Sequence, residues 1–400
     1  MMKRKYQFQL QRKILLNNNF KVTVKILIVN NTLYKNNKNM KTINQIKQEL
    51  QAFGSKYDAC EEGLEAIKGN NLTELFENIS NYIYWCKEDE EKTKEFNSIF
   101  DNDLVIENGV LLYCCSNLDS IKIPNSVHTI GEHAFRNCTE LISIEIPDSV
   151  SVIGDYAFKN CNKLASIEIP DSVTVIGNSV FQDCGKLKSI KIPNSITSIG
   201  HCAFRFCVEL SSITIPNSVT YIGSSAFYYC KELTSIRIPD SVTTIEDFTF
   251  SGCTNLTSIE IPNSITSIGE FSFYGCVGLT SVTIPNSITE IGKYAFWQCA
   301  KLTSIELPNS ITSIGYYVFG FCSGLTSVSI PNSVTLIADS AFYNCNGLTS
   351  IEIPNSVTSI GRYAFMDCKE LKIVVIPNSV TYIGEFAFEH CHPELKIIRK

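Results

Sequence analysis

Twelve of the thirteen prolines, from Pro124 and Pro147 through to Pro354 and Pro377, follow one another at intervals of 23 residues without a single insertion. An unbroken period of this length dictates a repeat architecture, because each unit needs only its neighbours to bury its apolar side. Each unit reads roughly I-x-I-P-[ND]-S-[VI]-T-x-I-G-x-x-A-F-x-x-C-x-x-L-x-S. Leu141, Ile144 and Ile146 show the L-x-x-I-x-I spacing of a leucine-rich-repeat strand. Period-two isoleucines point inward from such a strand and the residue between them points to solvent. Proline then ends the ladder, having no N–H to donate. The following Asn-Ser or Asp-Ser supplies turn chemistry. The run Ile-Gly-x-x-Ala-Phe-x-x-Cys is read as the return on the convex side, as a tight turn or short helix, and the winding as right-handed.

The fold class expected is therefore a repeat solenoid, α/β to mainly β, with a parallel sheet on its concave face and about twelve turns over residues 121–400. Residues 98–120 read as a degenerate capping repeat, because Cys115, Leu118 and Ile121 fall in phase without a preceding proline. Glu246 and Ala338 replace the repeat glycine, and Val180, Thr249, Ser272 and Val318 replace its alanine, so those turns should differ locally.

Upstream of the array, Ile43, Ile46, Leu50 and Phe53, then Leu72, Leu75, Phe76, Ile79 and Ile83, follow helical spacing and define a small helical module over 40–97. Residues 1–39 form an Asn/Lys-rich head with nine Lys or Arg and no acid, read as lying outside the functional protein. The other 361 residues hold 25 basic and 40 acidic side chains, a balance that repels phosphate backbones and argues against nucleic acid as a partner. No segment reaches the roughly 18 apolar residues of a membrane span.

Chemistry-bearing residues are explained by repeat phase. Twelve of the seventeen cysteines, Cys138 through Cys391, occupy one position per unit and read as a core thiol ladder. His390, Cys391 and His392 are three donors at an exposed end rather than a metal site, and no nucleophile–base–orienter set is present. Thr234 and Ser235 begin hydroxyl ladders that strand propensity explains. Aromatics gather at two convex positions, Tyr156, Phe248, Phe271, Tyr294, Tyr317, Tyr363 and Phe386 with Tyr228, Tyr274, Trp297 and Tyr343, and read as covers for the seams between turns. No cofactor, metal or catalytic residue is assigned.

The repeated I-x-I-P, I-G-x-x-A-F-x-x-C and L-x-x-I elements resemble those of the BspA-type leucine-rich-repeat family over residues 98–400. The resemblance implies an arc-shaped solenoid used for protein or glycan recognition, often on cell surfaces. Without insertions, recognition must use side chains on the repeat faces. One strand position varies most in charge: Lys122, Glu145, Glu168, Lys191, Arg237, Glu260, Glu306 and Glu352, with Thr214, Thr283 and Ser329 between them. It is acidic or neutral beyond Arg237, which points to a protein partner with a basic patch. The function expected is a non-catalytic, cytoplasmic interaction scaffold. The alternatives are a cell-surface adhesin for protein or glycan and a structural or glycan-binding array. Nothing in the sequence sets an oligomeric state.

Overall fold

In the computed structural model Lys41–Lys400 forms one unit. The structure describes residues 43–56, 67, 104–114 and 119–400. The basic head and the helix expected from Leu72 to Ile83 lie outside the described residues. Of the 40–97 module, one helix, α1 (Ile43–Lys56), is described; Ile46, Leu50 and Phe53 share its apolar face and are buried.

A β-hairpin precedes the array, Leu104–Glu107 paired antiparallel with Val110–Cys114. Its two-residue loop is Asn108-Gly109, both at positive φ, the pairing that lets a tight hairpin follow strand twist. Val110 and Leu111 also pair in parallel with Thr129 and Ile130, so the hairpin lays a strand onto the first turn of the array.

From Ser120 onward the 23-residue period becomes a stack of turns carrying two parallel ladders. Three-residue strands form the long ladder, as where Ser189–Lys191 pairs with Ser212–Thr214. Two-residue strands form the short ladder, as where Ser198–Ile199 pairs with Tyr221–Ile222. In both the register offset is one repeat, so equivalent residues lie side by side. The reading of one strand per unit therefore needs enlarging: the T-x-I segment before the glycine alternates exposed and buried as a strand does, and forms its own ladder. Proline closes each long strand and its carbonyl opens a turn, Pro147 accepting from the Val150 N–H at 3.0 Å. The serine inside that turn reaches back one repeat, Ser149 Oγ donating to the Val127 carbonyl at 2.6 Å.

The remaining G-x-x-A-F-x-x-C run is a rim of turns, with no helix among the described residues of the array. Two residues per rim are left-handed, as Tyr156 (φ 59) and Asn160 (φ 62). Between and around them the amides alternate. Tyr156, Phe158 and Asn160 donate forward to the next turn, whereas Ala157, Lys159 and Cys161 donate back to the residue three positions earlier. That alternation spends every second N–H on a neighbour, so the i→i−4 bonds of an α-helix cannot form.

The core is a set of columns. Phe135 through Phe388 stack ring on ring with centroids 5.1–5.7 Å apart. Ile, Leu, Ala and Cys columns complete it.

Candidate binding surface

Every residue of the variable strand column is exposed, and the long ladder sets them side by side: Lys122 beside Glu145, Glu168 beside Lys191, Arg237 beside Glu260 and Glu306 beside Ser329. The inward isoleucine between the exposed Ser and the variable residue fixes which way that residue points. Ion pairing then divides the column. Lys122 and Glu145 bond each other at 2.6 Å, and Glu352 is met by Lys400 at 3.0 Å. Arg237 turns to Asp240 in its own unit. Glu168, Glu260 and Glu306 have no ion-pair partner among the described residues; Glu168 lies beside the basic Lys191, so the column's uncompensated negative charge beyond Arg237 sits in the turns carrying Glu260 and Glu306.

A second variable column, which the sequence reading passed over, follows the repeat glycine: Asp155, Asn178, His201, Asp247 and Asp339 belong to it. Each turns its side chain to the next repeat. Asp155 Oδ1 accepts the Asn178 N–H at 2.7 Å, Asn178 Oδ1 accepts the His201 N–H at 2.9 Å, and His201 Nδ1 accepts the Ser224 N–H at 3.1 Å. Its signal was legible, a column of varied polar side chains beside an almost invariant glycine. Between this column and the short ladder lies an open trough of about 520 Å³ from Thr244 to Ala338, with Glu246, Asp247, Glu270, Glu290, Lys293 and Tyr316 on its walls.

The aromatic columns do not offer open ring faces along their length. Phe248, Phe271, Tyr294 and Tyr317 stack nearly parallel at 4.6–4.8 Å, each ring covering the next. Tyr274 leans on Phe271, and Trp297 packs edge-on against Tyr294 and Tyr317. A sugar stacks on a ring face, and here those faces are occupied by the neighbouring repeat. The threonine ladder is similarly engaged: Thr257, Thr280, Thr303 and Thr326 each donate to the carbonyl of the threonine one repeat back at 3.0–3.4 Å.

The cysteine column is free thiol throughout the described residues, and each thiol has a partner. Cys161 Sγ donates to the Phe135 carbonyl at 3.1 Å, and the bond recurs at every unit to Cys391. Burial pushes these thiols far up, Cys276 and Cys322 to about 12. Deprotonated sulfur, the nucleophilic and metal-binding form, is suppressed there. At the far end His390 faces Asp367, Cys391 faces the Phe365 carbonyl and His392 Nδ1 accepts from the Glu394 N–H, so the three donors do not converge. Among the described residues no group of His, Cys, Asp or Glu is placed to hold a metal ion, and no helix is long and apolar enough to cross a membrane.

A stack of 23-residue turns with a parallel ladder, a proline-closed strand and a Phe-Cys core defines a leucine-rich-repeat solenoid. The BspA type leucine rich repeat model matches residues 106–234, 220–349 and 289–399, and the chain belongs to that family. Similar solved structures include a leucine-rich repeat protein from Bacteroides ovatus, 28% identical with TM-score 0.54 over 75% of this chain and all of that one. A leucine rich cell surface protein from Faecalibacterium prausnitzii is 33% identical with TM-score 0.53, over 74% of this chain and 91% of that one. A leucine-rich repeat protein from Eubacterium ventriosum, 24% identical with TM-score 0.53 over 73% and 90%, shares the fold. No curated protein matches the chain.

Proposed function

We propose that the chain is a non-catalytic scaffold that binds a partner protein bearing a basic patch, through the long-ladder face. The observation carrying this reading is the strand column itself: an exposed file of varied charges, each following the inward Ile or Val of its strand, whose unpaired carboxylates beyond Arg237 are Glu260 and Glu306. Repetition makes much of that face uniform between Thr234 and Ser350, so over those turns this file is where one turn differs from the next. Charges of this kind steer and select a partner more than they add affinity. The test is capture of partner by the purified chain and by a Glu260→Lys, Glu306→Lys, Glu352→Lys variant. Glu352 already faces Lys400, so Glu260→Lys and Glu306→Lys should carry most of the effect, weakening capture about tenfold while the melting temperature stays nearly unchanged. Capture equal to the parent protein would move the site to the trough or the aromatic rim.

A second reading, a surface adhesin, is favoured by the likeness to a cell surface protein from Faecalibacterium prausnitzii. Labelling of intact source cells with an impermeant amine reagent distinguishes it from the cytoplasmic scaffold: modification of the chain supports the surface reading.

A further inference from the structure

Three junctions between turns differ from all the others in the same ways. They fall between the turns of Gly154 and Gly177, of Gly223 and Glu246, and of Gly292 and Gly315, and are spaced 69 residues apart, three turns each. At each of them the strands of neither ladder are paired, although one backbone bond beside the long strand persists, Ala165 N–H to the Ile142 carbonyl at 3.1 Å, Thr234 to Ser211 at 3.4 Å and Thr303 to Thr280 at 3.3 Å. The long ladder alone is also unpaired between Ser327–Ser329 and Ser350–Glu352, where the short ladder continues. The short strands Val152–Ile153 and Val175–Ile176, Tyr221–Ile222 and Thr244–Ile245, and Glu290–Ile291 and Ser313–Ile314 fall in different sheets, and so do the long strands beside them. Elsewhere the residue at the repeat-glycine position donates its N–H across the junction, Gly200 to Ile176 at 2.8 Å and Gly292 to Ile268 at 2.7 Å; Gly177, Glu246 and Gly315 make no such bond.

Two further measures agree. A Cβ built on Gly200 or Gly292 would lie within 2.8 Å of backbone in the preceding turn, whereas at Gly315 the nearest atom is 3.4 Å away and at Gly177 only side-chain atoms lie close. The third such position is the one that carries a glutamate. In the core, the Phe stack is widest at these same junctions, 5.6 Å for Phe158–Phe181 and 5.7 Å for both Phe227–Phe250 and Phe296–Phe319, against 5.1–5.5 Å at the others. The rim does not part. Phe158, Phe227 and Phe296 still donate across to Val180, Thr249 and Val318 at 2.9–3.0 Å.

We infer that the solenoid is divided into cooperative blocks by three rim-hinged interfaces, at which it flexes and from which it comes apart first. In a repeat protein stability is a sum of unit terms and nearest-neighbour interface terms, so interfaces lacking both ladders are the weak links. The trough lies over the third of them, between Ile291 and Ser313.

Pulling the whole chain from its ends tests this directly. The two middle blocks, with their prolines at 170, 193 and 216 and at 239, 262 and 285, should each release 69 residues in one step, a contour gain of roughly 230–250 Å. Steps of 23 residues, or one event for the entire array, would overturn the inference. Hydrogen exchange read at single amides supplies an independent measure on the same protein. The Gly177, Glu246 and Gly315 amides should exchange at least about tenfold faster than those of Gly200, Gly223, Gly269 and Gly292, while the Phe158, Phe227 and Phe296 amides stay as protected as Phe204 and Phe273. Loss of protection at the rim amides of these junctions would also reject a rim hinge.

Discussion

At the scale of single residues, the rim depends on a conformation that its own side chains disfavour. A left-handed non-glycine residue costs about 1–2 kcal/mol, and each unit holds two such positions. Where the occupant is Phe271 or Tyr294, ring stacking at 4.6 Å offsets that cost. At the second position the occupants include Asn160 and Asn344, which tolerate the conformation, and Gly252 and Gly275, which escape the cost. Gln298 (φ 61) has neither excuse: it is exposed and makes no ring contact. Gln298→Gly should therefore raise stability by about 0.5–1 kcal/mol, after the entropy a glycine adds to the unfolded chain, and thermal unfolding monitored by circular dichroism reads it. A lower melting temperature would mean the glutamine makes contacts worth more than its backbone costs. None of this was legible beforehand, because the aromatic columns announce stacking but nothing in their spacing announces positive φ.

At the scale of elements, the long strand was legible because Ile-x-Ile followed by Pro carries both its faces and its stop. The short strand was not. Two residues between a polar turn and a glycine fall below any periodicity a sequence can display, and only pairing with the equivalent residues of adjacent turns makes them a ladder. The glycine after it was legible as a repeat feature but not for its reason, which is the approach of the preceding turn's backbone. That reason varies along the array and gives a paired prediction. A methyl at Gly292 would meet Glu270 N at 2.5 Å and Gly269 C at 2.6 Å, so Gly292→Ala must push two turns apart at a cost of about 1–3 kcal/mol. At Gly315 the same methyl meets Val318 Cγ2 at 3.4 Å and the Ile291 carbonyl at 3.5 Å, and Gly315→Ala should be neutral or stabilise by up to about 1 kcal/mol. Chemical denaturation of both variants checks the contrast, and equal losses would show that the glycine is needed for its torsions and not for space.

At the scale of the whole molecule, the thiol column couples the turns to pH. The column was legible from one cysteine per unit; the bond each makes to the Phe carbonyl of the preceding turn was not, since it joins residues 26 apart. Each buried thiol resists ionisation, mainly because burial penalises the thiolate and, for Cys184, Cys230 and Cys345, because neighbouring thiols would repel it. In the unfolded chain these groups ionise near their ordinary value of 9.0, and in the folded chain Cys276 and Cys322 wait until about 12. Between those values the folded state holds more protons than the unfolded one, so stability falls as pH rises, by up to about 1.4 kcal/mol per pH unit for each thiol. Below pH 9 the contribution is complete and flat. Tyr156 and Tyr294, raised mainly by burial, add to the same slope. Because the column runs through every turn, the losses add across the array, and the melting temperature should drop steeply above pH 9. Replacing Cys253, Cys276, Cys299 and Cys322 by Ser removes four of these titrations while leaving a hydroxyl to donate to the same carbonyls. The variant should be less stable at pH 7, for want of the larger sulfur, yet lose stability more slowly between pH 9 and 11. Parallel curves for the two proteins would show that the alkaline loss comes from tyrosines and surface lysines and not from the thiols.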